Sequence, residues 1–392
     1  MDFTLTEEQK LLKKNIGDFA RRELAPLVRE IDEKEGFSWE IWHKLASIGL
    51  PGLAGPEEYG GAGVDSLLTQ TMVIEEIARH DFSSAANVVS NWSIMNLLTV
   101  GNEGQKDRYL RPLCIGEAVG AFAQTEPNAG SDVASMRATA RLVDGHYIIN
   151  GEKVFITQAG EAEFTIVMAR TSNEKGTNGI SALLVDKDAP GFILGKKEAK
   201  LGFRGSTTRS LAFDDCRIPA SNLLGEEGKG FKTAMKMLTG GRVITAAQAL
   251  GQAQAALDAS VNYAKERPQF GKPIGSFQLI QGMLADMAVQ IESARLLTYY
   301  AAWLKDNDQP FNIYASMAKT LATDVAMKAA VDAVQIFGGY GFMRDYPVEK
   351  IMRNVKITQI YEGTNQIQRL IIARELLGEK GSFREMYGHN KT

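Results

Sequence analysis

Cysteine is scarce: Cys114 and Cys216 are the only two in 392 residues, far apart and in no CxxC arrangement. That argues against a disulfide scaffold and fits a reducing compartment, so a cytoplasmic protein is expected. The four histidines, His43, His80, His146 and His389, show no metal-ligand spacing, so no metal is expected. Basic charge is not in excess either: 44 Lys and Arg stand against 47 Asp and Glu, for a net charge of -3 and no basic block. Nucleic acid is therefore not an expected partner. No long apolar run occurs, so no membrane span, signal peptide or transit segment is expected. The Gly-rich stretch 52–63 contains no GxGxxG and follows no strand, which rules out a dinucleotide-binding fingerprint there.

What remains is 44% hydrophobic and 23% charged, enough for a well-buried core shared by two or three units. Thr6 and Gln9 are spaced as a capping box ahead of Leu11 and Leu12, and apolar residues recur at helical spacing to about residue 115. Beyond Gly120 the period shortens. Asp144-Gly145 and Asn150-Gly151 each precede an alternating run, the pattern of an antiparallel meander that closes into a barrel or sandwich. From about residue 230 the helical period returns in four long, Ala-rich segments, 231–264, 277–304, 313–337 and one after Thr364, which predict a four-helix bundle. The expected class is α+β multidomain: an N-terminal α-helical domain over 1–118, a middle antiparallel β-barrel or sandwich domain over 119–228, and a C-terminal four-helix bundle over 229–392.

Chemistry concentrates near the end of the chain, in Tyr361-Glu362-Gly363-Thr364-Asn365-Gln366. A carboxylate there sits at or just before a helix start, Gly363 permits close backbone approach, and Thr364 or Asn365 can cap the helix. Such an arrangement suits proton abstraction next to a carbonyl. Equally, an acid at this position need only favour the positive end of the helix dipole. The join between the first two units, Phe122-Ala123-Gln124-Thr125-Glu126-Pro127-Asn128-Ala129-Gly130-Ser131-Asp132, offers small donors for a flat polar ring or a phosphate, or is an ordinary inter-domain loop.

Three spaced motifs carry a resemblance that covers nearly the whole chain. TEPNAGSD at 125–132, QIFGGYGF at 335–342 and YEGTNQIQR at 361–369 resemble the signatures of the acyl-CoA dehydrogenases. The resemblance implies a homotetramer with one flavin adenine dinucleotide (FAD) per subunit. Phe122, Ala123, Gln124, Thr125, Gly130 and Ser131, with Phe155, Ile156 and Thr157, would line the flavin and its ribityl chain. Arg267, Phe270 and Gln278 would reach a neighbouring subunit's cofactor, as would Gln335, Ile336, Gly338 and Gly339, while Thr364 and Gln366 complete the flavin site. Ser131, Arg242, Gly363 and Arg374 match positions near the coenzyme A moiety, Tyr361 is expected at the substrate, and Glu362 matches the catalytic base.

Two departures from the family pattern bear on the substrate. Thr239 stands where many members carry Asp, and the bulky, polar pair Asn91 and Trp92 lies where the acyl end is usually lined by small or aliphatic residues. That pair argues against a long straight chain, unless Trp92 is simply core and Asn91 a helix cap. The implied activity is α,β-dehydrogenation of a short, branched or alicyclic acyl-CoA, including cyclohexane-type carboxyl-CoA esters, to the 2,3-enoyl-CoA, with electrons passed to an electron-transferring flavoprotein. Glu362 would take the α-proton as hydride leaves the β-carbon for the flavin. The alternatives are an acyl-CoA oxidase or flavin monooxygenase on the same fold, or a catalytically silent acyl-CoA binding protein.

Overall fold

The computed structural model describes residues 5–174 and 176–378; His389 lies outside them. Thr6 and Gln9 form the expected reciprocal cap on α1 (Glu7–Phe19), which is followed by α2 (Val28–Lys34) and α3 (Trp39–Ala46). Two central helices, α4 (Leu67–His80) and α5 (Phe82–Leu98), are almost wholly buried, and α6 (Glu103–Gln105) and α7 (Arg111–Cys114) are single turns leading to the sheet. Helix α5 begins where Asp81 accepts from the backbone N–H groups of Ser83 and Ser84.

The middle unit is a mixed, sandwich-like sheet, not a closed antiparallel barrel. Its strands are β1 (Gly120–Ala123), β2 (Thr139–Val143), β3 (His146–Thr157), β4 (Phe164–Arg170), β5 (Ile180–Asp186), β6 (Phe192–Lys197), β7 (Thr208–Pro219) and β8 (Leu223–Leu224). Strand β1 runs parallel to β4, a long-range pairing that no local pattern announces. Asp144 (φ 48°) and Gly145 (φ 73°) make the expected tight turn between β2 and β3. Asn150-Gly151 does not turn the chain. It sits inside β3 at a register shift against β7, where the Asn150 amide exchanges two hydrogen bonds with Asp215.

The last unit contains α8 (Gly230–Glu266), the short hairpin of β9 (Pro268–Gln269) and β10 (Lys272–Pro273), α9 (Gln278–Asp306), α10 (Asn312–Phe337), α11 (Val348–Val355) and α12 (Asn365–Leu377). The four long segments match the expected bundle, to which α11 is an addition. Helix α4 packs against α8 and α9 and is pinned by polar groups: Glu75 accepts from Arg295 and from the Tyr299 hydroxyl, both at 2.8 Å, and Arg79 pairs with Asp258. One hydrophobic core therefore runs from the first helices into the bundle, and a second fills the sheet. Strand β1 lies between them. Its Ala121 and Ala123 face the sheet core, while Phe122, on the opposite face by strand alternation, packs against the helical core.

Candidate active site

Glu362 sits two residues before the Thr364 cap of α12, with its backbone in the left-handed region (φ 55°) and Gly363 following at φ 84°. A glutamate in that region costs on the order of 1 kcal/mol or more, so surrounding contacts must hold it. They do so through backbone carbonyls. Gln368 Nε2 donates to Glu362 O (3.2 Å) and Gly363 O (3.0 Å), and Lys319 Nζ on α10 donates to Gly363 O and Asn365 Oδ1, both at 2.9 Å. Asn365 Nδ2 in turn donates to Thr323 Oγ1 and Asp324 Oδ1, each at 2.8 Å.

The carboxylate lies over Gly241 of α8: a Cβ there would meet Glu362 Oε2 at 3.1 Å, so a glycine leaves the oxygen its place. Among the described residues Oε2 is buried with no hydrogen-bond partner. Burial pushes the Glu362 carboxyl up to about 7, against the pull of Arg242 and Lys319. Burial likewise lowers Lys319 to about 7, against the pull of Glu362 and Asp324. Because the folded value for Glu362 lies above the unfolded one, ionising it works against folding. The penalty is absent below the ordinary carboxylate range, grows as pH rises toward 7 and is complete above it. Glu362→Gln should therefore raise the unfolding free energy at pH 8 by on the order of 2 kcal/mol and change it little at pH 4, as read from denaturant melts at the two pH values.

Helix α8 presents Gly241, Thr245, Gln248 and Gln252 at spacings of three and four, one stripe of its surface. The Tyr361 hydroxyl donates to Gln248 Oε1, and Thr245 Oγ1 is buried without a partner among the described residues. Arg242 is buried beside this stripe and comes within hydrogen-bond range of Ser316. Thr239 lies one turn earlier and bonds Met235 O, while Arg374 is half-buried on α12. Asn91 and Trp92 differ from expectation. Asn91 is in the middle of α5 and is no cap: it is 1% exposed and donates to Pro51 O and Leu113 O, and the Trp92 indole donates to Leu50 O. The Asn91 amide N–H groups and the Trp92 indole bind the backbone of the N-terminal unit, while Asn91 Oδ1 is buried without a partner among the described residues.

The loop after β1 is anchored from below. Glu126 accepts from Lys153 Nζ (2.8 Å) and from the backbone N–H groups of Arg137 (2.6 Å) and Ala138 (2.9 Å), and Lys153 also donates to Gln124 O. Burial raises the Glu126 carboxyl, but Lys153 and the two amides outweigh it and hold it below the ordinary range. Above this anchor Gly130 and Ser131 are exposed, Thr125 is half-buried, and Gln124 Oε1 is buried without a partner among the described residues. Ala123 and Ile156 point into the sheet core, leaving only their backbone to face a ligand. Phe155, by contrast, is 71% exposed at φ 60°, and Thr157 is half-buried beside it.

A separate cleft of about 550 Å³ gathers Arg267, Ile336, Gly338 and Gly339 together with Tyr263 and Tyr340. Arg267 stacks on Tyr340 (5.0 Å to the ring centre), and side chains added at Gly338 or Gly339 would meet open space. Phe270, at the tip of the β9–β10 hairpin, is 92% exposed, and Gln278, Gln335 and Gln366 are exposed as well. Of the expected residues, Arg267, Ile336, Gly338 and Gly339 share this cleft, while Phe270, Gln278, Gln335 and Gln366 stand exposed outside its lining. An exposed aromatic ring, an unsatisfied amide and a cationic cleft floored by glycines fit the flat ring and the diphosphate of a flavin dinucleotide. Sequence reasoning missed Lys319, Gln248, Gln368 and the Glu126–Lys153 pair. The one available signal was a lone lysine in the Ala-rich run Ala315-Ser316-Met317-Ala318-Lys319.

Comparison with known proteins agrees with this geometry. Models of the acyl-CoA dehydrogenase N-terminal, middle and C-terminal domains match residues 6–117, 121–216 and 228–377. An acyl-CoA dehydrogenase of Bacillus subtilis (strain 168) is 49% identical over 95% of this chain and 99% of its own. A short-chain-specific acyl-CoA dehydrogenase of Clostridium acetobutylicum is 46% identical over 96% and 100%. Butyryl-CoA dehydrogenase from Megasphaera elsdenii superposes with a TM-score of 0.92 at 46% identity, covering 96% of this chain and all of that one. A chain from the structure of the electron transferring flavoprotein of Acidaminococcus fermentans gives 0.93 at 48% identity over 97% and 100%. The FAD complex of PigA gives 0.92 at 32% identity over 96% and 99%. On the strength of all three domain models and relatives of this closeness, the chain belongs to the acyl-CoA dehydrogenase family, oxidoreductases acting on CH–CH groups.

Proposed function

We propose that this protein dehydrogenates a short acyl-CoA thioester to its 2,3-enoyl-CoA, with Glu362 as the base. The observation that carries the reading is the buried Glu362 oxygen with no partner among the described residues, lifted to about 7 and therefore able to take a proton near neutrality. The flavin of the family's FAD, when bound, supplies the acceptor for the hydride that leaves the β-carbon. Phe122, Gln124, Thr125, Gly130, Ser131, Phe155 and Thr157 would hold it on the β1 side, with the backbone at Ala123 and Ile156, and Thr364 and Gln366 on the other. Arg242 and Lys319 keep enough of Glu362 ionised for it to act as a base, while Gly363 and Arg374 would face the coenzyme A portion. A carboxylate alone is a weak base for a thioester α-proton, so exclusion of water around it is part of the proposal.

Gln248 and Tyr361 support a short acyl group, because their hydrogen bond sets two polar side chains about two turns along α8 from Gly241, over which the Glu362 carboxylate lies. The short-chain and butyryl relatives favour the same choice. Branched and alicyclic esters remain arms of the test. The electron acceptor would be an electron-transferring flavoprotein, in keeping with the Acidaminococcus fermentans neighbour. A homotetramer is proposed from the exposed apolar residues Leu279, Val289 and Leu296 on α9, together with Phe270. Arg267, Phe270 and Gln278, with Gln335 to Gly339, would then complete a neighbour's cofactor site. No described helix is long and apolar enough to cross a membrane, and the buried free thiols Cys114 and Cys216 favour the cytoplasm.

Anaerobic titration of the flavin absorbance against straight, branched and cyclic acyl-CoA esters tests this reading. Butyryl-CoA should bleach the flavin fastest, and Gln248→Gly should shift preference toward hexanoyl- or octanoyl-CoA by about tenfold or more. Octanoyl-CoA outperforming butyryl-CoA with the native chain would contradict the short-chain assignment. Slow reoxidation of the reduced flavin by oxygen is expected, and fast reoxidation would favour an oxidase.

A further inference from the structure

We infer that Lys319 is a positioning residue for the base: its ammonium, sealed beneath the 361–365 loop, fixes the turn at Glu362–Gly363 and keeps a positive charge on the buried side of the carboxylate. The inference rests on the reading of Glu362 as the base. Lys319 is 0% exposed and projects from the middle of an otherwise small and apolar helical surface. Burying an ammonium is costly and is tolerated where it is hydrogen-bonded and serves a purpose. Here its two bonds go to neutral acceptors, Gly363 O and Asn365 Oδ1, and it forms no ion pair among the described residues. Both acceptors belong to the segment that carries Glu362.

The geometry makes α10 and this segment one rigid piece. Lys319, Thr323 and Asp324 lie within two turns of α10 and all engage Asn365, the first residue of α12. Lys319 holds the Gly363 carbonyl as well, and Gln368 grips it from α12. With that carbonyl fixed, the left-handed backbone at Glu362 has little freedom to relax into the commoner right-handed region, which would re-aim the carboxylate. The charged groups facing Lys319 are Glu362 on the loop, Asp324 on its own helix and Arg242 across on α8. Asp324 is already engaged by Arg369 at 2.6 Å, leaving Glu362 as the anion on which the Lys319 charge chiefly acts.

Flavin-loaded Lys319→Met, Lys319→Gln and Lys319→Arg test this, with anaerobic stopped-flow reduction by butyryl-CoA measured across the neutral pH range. The rate rises with pH as Glu362 ionises, and Lys319 is itself still protonated below about 7, so losing the ammonium should move the foot of that rising limb upward by about one pH unit in both Met and Gln variants. Lys319→Met should also be slower at its own plateau by about tenfold or more, because the carbonyl clamp is gone. Lys319→Gln keeps a donor for Gly363 O and should recover part of the plateau, and Lys319→Arg should keep the limb in place. The dissociation constant for butyryl-CoA should change by less than about threefold, since Lys319 is fully buried and bonds Gly363 O and Asn365 Oδ1 from beneath the loop. A limb that stays put in Met and Gln variants, with only lower melting temperatures, would overturn the inference, and so would failure of all three to fold with flavin bound. Glu362→Gln is run alongside. If it still reduces flavin at the native rate, the base assignment itself fails, whereas an inactive Glu362→Gln with an unmoved Lys319→Met limb overturns only the role of Lys319.

Discussion

Glu362→Gln should slow flavin reduction by butyryl-CoA by about a thousandfold while leaving acyl-CoA binding within a few-fold of native. The amide preserves the volume over Gly241 and the backbone contacts from Gln368 and Lys319, so neither the loop nor the pocket loses its shape. What disappears is the capacity to accept a proton. A general base contributes about a hundred- to ten-thousandfold, and among the described residues the charged neighbours of Glu362 are the cations Arg242 and Lys319. Glu362→Asp should retain part of the rate, because the basic oxygen survives but is drawn back by one methylene. The acid limb of the native pH profile should lie near the neutral value that burial imposes on Glu362. Stopped-flow absorbance of the holoenzyme gives all of these, and a Gln variant that bleaches at the native rate would remove Glu362 from the chemistry.

Glu126→Gln should lower the unfolding free energy by about 3 to 5 kcal/mol, the largest stability loss expected of any single exchange in this region. The Lys153 side chain is wholly buried, and Glu126 is the only carboxylate paired with it among the described residues. Removing the negative charge leaves a buried ammonium with neutral acceptors alone: Gln124 O, the weak acceptor Met136 Sδ and the one amide oxygen that the exchange retains. Glu126 titrates below the ordinary carboxylate range in the folded chain, so its contribution is complete above that range and is lost as pH falls through the folded value. The same pair ties β3 to the loop holding Gln124 and Thr125, so the variant should also retain less flavin on gel filtration. Denaturant melts with an absorbance ratio for bound flavin read both effects. A native ratio and a loss below about 1 kcal/mol would mean that the pair is not an anchor.

The same residues explain which parts of the molecule could be read in advance. Helices α8, α9 and α10 were legible because their Ala-rich runs are long and their ends carry turn residues. Helix α5 is a different case, since 82–89 is buried on every side and shows no amphipathic stripe to mark its start. Asp144-Gly145 behaved as a hairpin turn, but Asn150-Gly151 became a bulge because Asp215, more than sixty residues later, satisfies the Asn150 amide. Pairing of β1 with β4 is likewise a tertiary choice. Around the site, Glu362 and the β1 loop stood out by motif, whereas Lys319 reads locally as one more exposed helical lysine. Asn91 and Trp92 show the converse. Their donors are held by the backbone carbonyls at 50, 51 and 113, distant in sequence, which no local pattern on the helix announces.

The most direct test of the account is a crystal structure of the flavin-loaded protein with a short acyl-CoA analogue that cannot be dehydrogenated. The account predicts the Glu362 carboxylate at about 3 to 3.5 Å from the α-carbon, with the flavin ring on the far side of the acyl chain against the β1 loop. A ligand whose α-carbon lies out of reach of Glu362, or a flavin seated away from the 122–131 segment, would contradict it.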